Sequence, residues 1–309
     1  MKIFKYIFYW WIRKPLIEIY YRLFIIFPIL LCRRSLINIP KGGSTLLVVV
    51  AFNNAELIQI QIRLFRKFIK ENYVLLIADN SSDDKNSDLI YAKCIHEKVD
   101  YIRVPRQKMF KNSTSHAIAL NWVFKKIIYN CKFDTVGFLD HDIFPIKDTF
   151  IAEKIKNKLA FGVLNYAMDF NTKDIWSIRG TQDWYLWPGY AFFNVSCMRK
   201  LNVDFRPILL KNKNFDTGGR NWFNIYSKFP VDKFCFVSFI SIKIGEGNSR
   251  QNNYVDVVDE TWVHLINGSN WYNESEEQVS IKNKFDSYIH YLKLENKHQI
   301  NLDEIISFS

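Results

Sequence analysis

Two aspartates separated by one residue close an apolar run, Thr135-Val136-Gly137-Phe138-Leu139-Asp140-His141-Asp142-Ile143-Phe144-Pro145. The run has strand character, and a proline three residues past the second acid stops a strand from continuing. Both carboxylates therefore fall at a strand's C-terminal end. In open α/β sheets ligands bind in the crevice outside those ends, and two carboxylates there can hold a hard divalent cation or a ligand hydroxyl. Taken alone, Asp-X-Asp reads more readily as a solvated acidic turn, so the elements around it decide between the two.

Those elements alternate. Leu46 to Phe52 is a continuous apolar run of the kind found in strands buried on both faces. Asn53-Asn54 ends it, and Leu57, Ile60, Leu64, Phe65 and Phe68 follow at helical spacing. Tyr73 to Ala78 is a second buried strand, closed by the capping and turning residues Asp79-Asn80-Ser81-Ser82-Asp83-Asp84. A short helix near Leu89 to Cys94, a strand at Val99 to Val104 and a helix from Ser115 through Tyr129 lead to the strand that ends at Asp140. Such alternation predicts an α/β fold with a mostly parallel sheet and helices on both faces. After Phe150 the pattern loosens. Ile151 to Leu159 reads as helix, Phe161 to Tyr166 as extended, Val255 to Val258 and Thr261 to Leu265 as strands, with breaks at Trp-Pro-Gly and Asp-Thr-Gly-Gly between them. An amphipathic helix begins near Glu274.

Composition narrows the partners. The chain has 309 residues, 49% of them hydrophobic, and a net charge of +11. Within residues 1–41, eight cations (Lys2, Lys5, Arg13, Lys14, Arg22, Arg33, Arg34, Lys41) face Glu18 alone, which leaves only +4 for the rest. The basicity thus belongs to an aromatic-rich arm and points to an anionic membrane surface, not to nucleic acid. The longest uncharged run there, Leu23 to Cys32, falls short of the roughly 20 apolar residues needed to span a bilayer. An interfacial arm is expected, with a pair of helices packed on the protein's own core as the alternative. Five scattered cysteines without C-x-x-C spacing indicate neither a disulfide framework nor a zinc site, and suit a cytoplasmic setting.

Neither G-x-G-x-x-G after the first strand nor G-x-x-x-x-G-K-[ST] occurs, so a nucleotide must be held in another way. Four ordered features, VVVAFNN (48–54), LLIADNSSDD (75–84), NSTSHAIALNW (112–122) and FLDHD (138–142), resemble the nucleotide-sugar-binding half of a GT-A glycosyltransferase, nearest to glycosyltransferase family 2. The resemblance covers about residues 45–150 and extends more weakly to about 272. It implies a GT-A (Rossmann-like) fold divided into an arm (1–43), a nucleotide-sugar-binding half (44–150), an acceptor-binding half (151–272) and a C-terminal helix and tail (273–309).

The resemblance also implies roles for residues. Ala51, Phe52 and Asn53 would lie along the nucleoside, and Asp79 would accept from the base N–H. Asp140 would contact the ribose or bridge to the metal, and Asp142 would bind Mn2+ or Mg2+. Some members of the fold return a distant histidine to the metal, and His264 is the candidate. Inverting transfer needs a base to take the acceptor's proton. Asp216, in Asn-Phe-Asp-Thr-Gly-Gly-Arg, is the first candidate and Asp183 the second, although the Glu-Asp form common in the family is missing here. Trp184, Trp187, Trp222 and Trp271 could stack on sugar rings. His116 either approaches the diphosphate or simply opens its helix.

The expectation is a metal-dependent, hexosyltransferase-like enzyme at the cytoplasmic face of a membrane, acting in cell-surface glycan synthesis. It would move a sugar from a nucleotide-sugar donor to a glycan or lipid-linked acceptor, with inversion in the family's manner. The alternatives are a metal-dependent nucleotidyl- or phosphotransferase, and a non-catalytic carbohydrate-binding membrane scaffold.

Overall fold

A computed structural model describes residues 14–39, 42–107, 110, 112–169, 183–210, 213–244 and 250–266. The arm's first 13 residues, Trp271 and the helix expected from Glu274 lie outside them. Helix α1 (Lys14–Ile26) leads to a short strand, β1 (Ser35–Leu36). The apolar run expected as the first buried strand is β2 (Gly42–Ala51), and Leu46 to Ala51 are sealed from solvent. Asn54 then caps α2 (Ala55–Phe68), its side chain accepting from the Leu57 N–H at 3.1 Å. The inner face of α2 buries Leu57, Ile58, Ile62, Leu64 and Phe65, each such side chain contributing about 1.5–3 kcal/mol of transfer free energy. The alternation continues through β3 (Tyr73–Asp79), α3 (Asp84–His96), β4 (Asp100–Arg103), α4 (Asn112–Lys126) and β5 (Lys132–Asp140).

The remaining strands are β6 (Ile143–Pro145), β7 (Ala160–Tyr166), β8 (Met168–Asp169), β9 (Trp184–Asn194), β10 (Ile208–Leu210), β11 (Lys213–Phe215), β12 (Phe234–Val237), β13 (Phe239–Lys243), β14 (Tyr254–Val258) and β15 (Trp262–His264), with α5 (Ile151–Ile155) after β6. Eight strands form one sheet in the order β1-β4-β3-β2-β5-β9-β7-β12. Strands β4, β3, β2 and β5 are mutually parallel, and β9 enters antiparallel to both β5 and β7. Because β2 starts the α/β run and has β3 on one side and β5 on the other, the order reverses there. This is a topological switch point, where open sheets bind ligands.

Register aligns the strand ends. Val50 lies opposite Asp140, Ala51 opposite Asp79 and Asp79 opposite Arg103, so these residues share the carboxyl edge of the sheet. A second sheet, β13-β14-β15-β6, brings the late chain back to the same edge.

Two details differ from the pattern read in the sequence. Helix α4 begins at Asn112, not Ser115, because the Ser115 hydroxyl accepts from the Asn80 amide at 3.0 Å instead of capping the helix. Its last residues give way to a separate 3-10 turn at Ile128–Asn130. Trp187-Pro188-Gly189 does not break the chain but stays inside β9, where the β7 pairing jumps register between Gly162 and Leu164. A bulge is where a strand tolerates a proline and a glycine.

Candidate functional site

Asp140 ends β5, and Gln61 fixes the turn that follows it. From the buried face of α2, the Gln61 amide donates to the backbone carbonyls of Asp140 and Ile143, both at 2.8 Å. The chain then reverses into β6, which pairs antiparallel with β15 so that Ile143 lies opposite His264. The Leu265 N–H donates to the Asp142 carbonyl at 2.9 Å and locks this register. In this way a histidine more than a hundred residues away in sequence is delivered to the acid pair.

One ligand atom from each of Asp140, Asp142 and His264 lies within 4.8 Å of the others. Asp142 is 4% exposed, and its Oδ1 is 3.4 Å from His264 Nε2. On the far side of the imidazole, Nδ1 is 3.5 Å from Asp256 Oδ2. Asp256 is itself held by the Ser241 hydroxyl and by Arg250. A carboxylate behind a ligand histidine fixes its ring orientation and leaves the other nitrogen for the metal. Trp187 closes the site, its ring 4.8 Å from that of His264.

The electrostatics show a demand for positive charge. Burial pushes the Asp140 carboxyl above its ordinary range; His116 pulls the other way, while the charge of Asp142 adds to the rise. Burial alone would lower the His264 pKa, but Asp142 and Asp256 outweigh it and push the imidazole up to about 10. Burial keeps His141, between the two acids, below its usual value. Asp140 Oδ1 and His116 Nε2 are both buried and lack a hydrogen-bond partner, although they lie 3.5 Å apart. Two acids, one with an orphaned carboxylate oxygen, and an imidazole suit a hard or borderline divalent cation with oxygen and nitrogen ligands. The residues present therefore fit a divalent metal ion.

Gly189 in β9 faces this cluster. A Cβ there would come within 2.2 Å of the Trp187 ring and 2.5 Å of Asp140 Oδ2. Only a residue without a side chain lets β9 pass beside the acid.

The other expected residues divide. Ala51 is sealed in the core, while Phe52 and Asn53 are half-buried at the same edge. Asn53 has positive φ, its N–H donates to Ser81 Oγ at 2.9 Å, and its side chain accepts from the Ser82 N–H at 2.9 Å. The turns after β2 and β3 are thus clipped together. Asp79, expected to accept from a nucleobase, is held by groups of the protein itself. Asp79 is 0% exposed; its oxygens accept from the Ser81 N–H (2.8 Å), the Ser87 hydroxyl (2.6 Å) and the Tyr101 hydroxyl (2.7 Å), with Arg103 at 3.2 Å. It organises the turn from beneath, with its acceptor capacity consumed internally.

Asp216 is exposed, on a turn whose Gly218 has φ +92° and packs against Pro188, the neighbour of Gly189. Thr217 ties the turn to α4 through the Ser113 carbonyl at 3.1 Å. Asp183 lies before β9 and is ion-paired with Lys213 of the small sheet β10-β11-β8. Trp184 packs against Trp222, Tyr226, Phe234 and Phe236, which makes it part of an aromatic cluster and not a sugar platform. The sequence reading missed Gln61 and Asp256. It left His116 open, and the structure puts that side chain beside Asp140.

No protein-family model matches the chain, and no curated protein matches its sequence. Solved glycosyltransferases resemble it at low similarity. The WbbM bifunctional glycosyltransferase is 15% identical with a TM-score of 0.34, over 51% of this chain and 32% of that one. An active-site mutant of LgtC is 12% identical with a TM-score of 0.39, over 62% and 72%. The mannosyltransferase PcManGT from Pyrobaculum calidifontis, in complex with GDP-Man and Mn2+, is 13% identical with a TM-score of 0.36, over 59% and 53%. The chain spans under a third of WbbM and about half of PcManGT. Likeness at this level carries no argument about activity, which rests on the site.

Proposed function

We propose that this chain is a divalent-metal-dependent glycosyltransferase that moves a hexose-type sugar from a nucleotide-diphosphate donor to a hydroxyl of a glycan or lipid-linked acceptor, with inversion, in cell-surface glycan synthesis. The observation that supports it is the convergence of Asp140, Asp142 and His264, with an orphaned Asp140 oxygen, at the switch point of the sheet. Asp140, Asp142 and His264 would hold Mn2+ or Mg2+, which, when bound, neutralises the charge that builds on the departing diphosphate.

The protein's own groups do the remaining work. Asp256 keeps the His264 ring turned toward the acid pair. The clipped turns at Asn53 and Ser81-Ser82 offer a preformed edge for the nucleoside. His116 Nε2, unsatisfied beside Asp140, is available to a phosphate oxygen. Asp216 accepts the acceptor's hydroxyl proton. The acceptor oxygen then bonds to the anomeric carbon as that carbon's bond to the diphosphate oxygen breaks, and a nucleoside diphosphate leaves.

Incubation with a panel of nucleotide sugars, Mn2+ and hydroxyl acceptors tests this. Release of a nucleoside diphosphate is expected. Pyrophosphate or a nucleoside monophosphate would mean chemistry at phosphorus and a nucleotidyl- or phosphotransferase. A metal-independent binding protein that survives Asp140→Ala with Asp142→Ala would be a scaffold.

A further inference from the structure

Helix α1 is apolar on two faces. Its inner face packs on the core through buried Phe24 and half-buried Ile17, Tyr20, Tyr21 and Ile25. It is tied down by the Trp122 indole donating to the Phe27 carbonyl at 3.1 Å and by Lys126 donating to the Ile26 carbonyl at 2.8 Å. Its outer face presents Leu16, Ile19, Leu23 and Ile26, spaced three or four residues apart and continued by Leu30 in the turn after Pro28. These five side chains are between 55% and 95% exposed. A one-helix stripe of this length with no cover among the described residues is a docking surface by its physical chemistry.

Three observations select the occupant. Exposed cations border the stripe: Arg22, paired with Glu18 at 3.6 Å, and Arg33, paired with Asp84. Beside the helix a cavity of about 550 Å³ opens between apolar Leu23, Phe24 and Leu31 and the charged side chains of Arg33, Asp84 and Arg106. Arg106 is exposed at its lip and has no ion-pair partner among the described residues. A second copy of the chain would bring like charges together, whereas an anionic bilayer answers both the apolar stripe and the cations. No described helix is long and apolar enough to cross a membrane, so the contact would be interfacial.

We propose that the outer face of α1 seats the protein on an anionic phospholipid surface, with the cavity beside it receiving the chain and headgroup of one anionic lipid. This surface is separate from the acid pair, so its failure would leave the sugar-transfer reading untouched.

The test is co-sedimentation of the full chain with phosphatidylcholine vesicles and with vesicles also containing phosphatidylglycerol, at low and high salt. The full chain should sediment with the anionic vesicles and be released by salt. Ile19→Glu with Ile26→Glu should weaken binding roughly tenfold or more without moving thermal unfolding, because both side chains already face solvent. Leu30→Glu should act in the same direction, and Arg106→Glu should reduce the preference for phosphatidylglycerol. The proposal is overturned if the wild type stays in the supernatant, if the glutamate variants bind as tightly as wild type, or if the variants instead convert a dimer to a monomer.

Discussion

Gly189→Ala adds one methyl group at the most crowded point of the site. Its Cβ would stand 2.2 Å from the Trp187 ring and 2.5 Å from Asp140 Oδ2. Ordinary contact begins near 3.4 Å, so unless the strand shifts the ring must retreat by about 1.2 Å and the carboxylate by about 0.9 Å. Ligand distances in metal sites hold within roughly 0.2 Å, so a carboxylate displaced that far is no longer the same ligand. Overpacking of this kind costs about 1–3 kcal/mol, and the cost can fall on either of two observables. If Asp140 moves, Mn2+ affinity should drop about 5- to 140-fold. If the strand moves, the same free energy appears as lost stability. Isothermal titration with Mn2+ and urea unfolding of the same preparation measure both. Unchanged Mn2+ affinity together with unchanged stability would refute the claim that β9 is pressed against the acid.

Other consequences follow from named contacts. Asp204, Arg206 and Glu18 form a network that fastens α1 to the turn at residues 204–206, with the Arg206 guanidinium 3.6 Å above the Tyr21 ring. Arg206→Leu leaves Asp204 buried and short of its main partner, so urea unfolding should show a loss of about 3–5 kcal/mol. Burial would raise the Asp204 pKa, but the hydrogen bonds and charge of Arg206, with help from Arg220, hold it below the usual carboxylate range. Its contribution is therefore complete above the unfolded value of about 3.9 and is lost as pH falls through the lower folded value. Asp204→Asn should flatten that acid limb of the stability profile; an unaltered limb would place the titration elsewhere. Asp216→Asn should lower kcat by about 10² to 10⁴ while leaving nucleotide-induced stabilisation intact. Asp183→Asn, which only frees Lys213, should change kcat far less, and the reverse ranking would exchange the two roles.

The acid pair was legible because its signal is local: an apolar strand, two acids and a proline within eleven residues. The α/β alternation up to residue 150 was legible for the same reason, since buried parallel strands and amphipathic helices each write their own period. His264 could be named but not joined to Asp142 by pattern alone. What joins them is the β6–β15 register, a pairing across about 120 residues that no short motif encodes. Asp256 was overlooked in Tyr-Val-Asp-Val-Val, where an acid inside an apolar strand was the available clue. Gln61 looked like one polar position on an amphipathic helix, and only the turn beneath it reveals its double donation. The partners of Asp79 were not legible because the hydroxyls of Ser87 and Tyr101 reach it from other elements. Trp187-Pro188-Gly189 carried a strong turn signal that the bulged β9 pairing overrode.

The most direct test of the central claim is a crystal grown with Mn2+ and a nucleoside diphosphate, with data collected at the manganese edge. The account predicts one anomalous peak within bonding distance of carboxylate oxygens of Asp140 and Asp142 and of His264 Nε2, with the diphosphate beside it. Nucleotide bound with no peak among those three side chains, or a peak elsewhere, would contradict it.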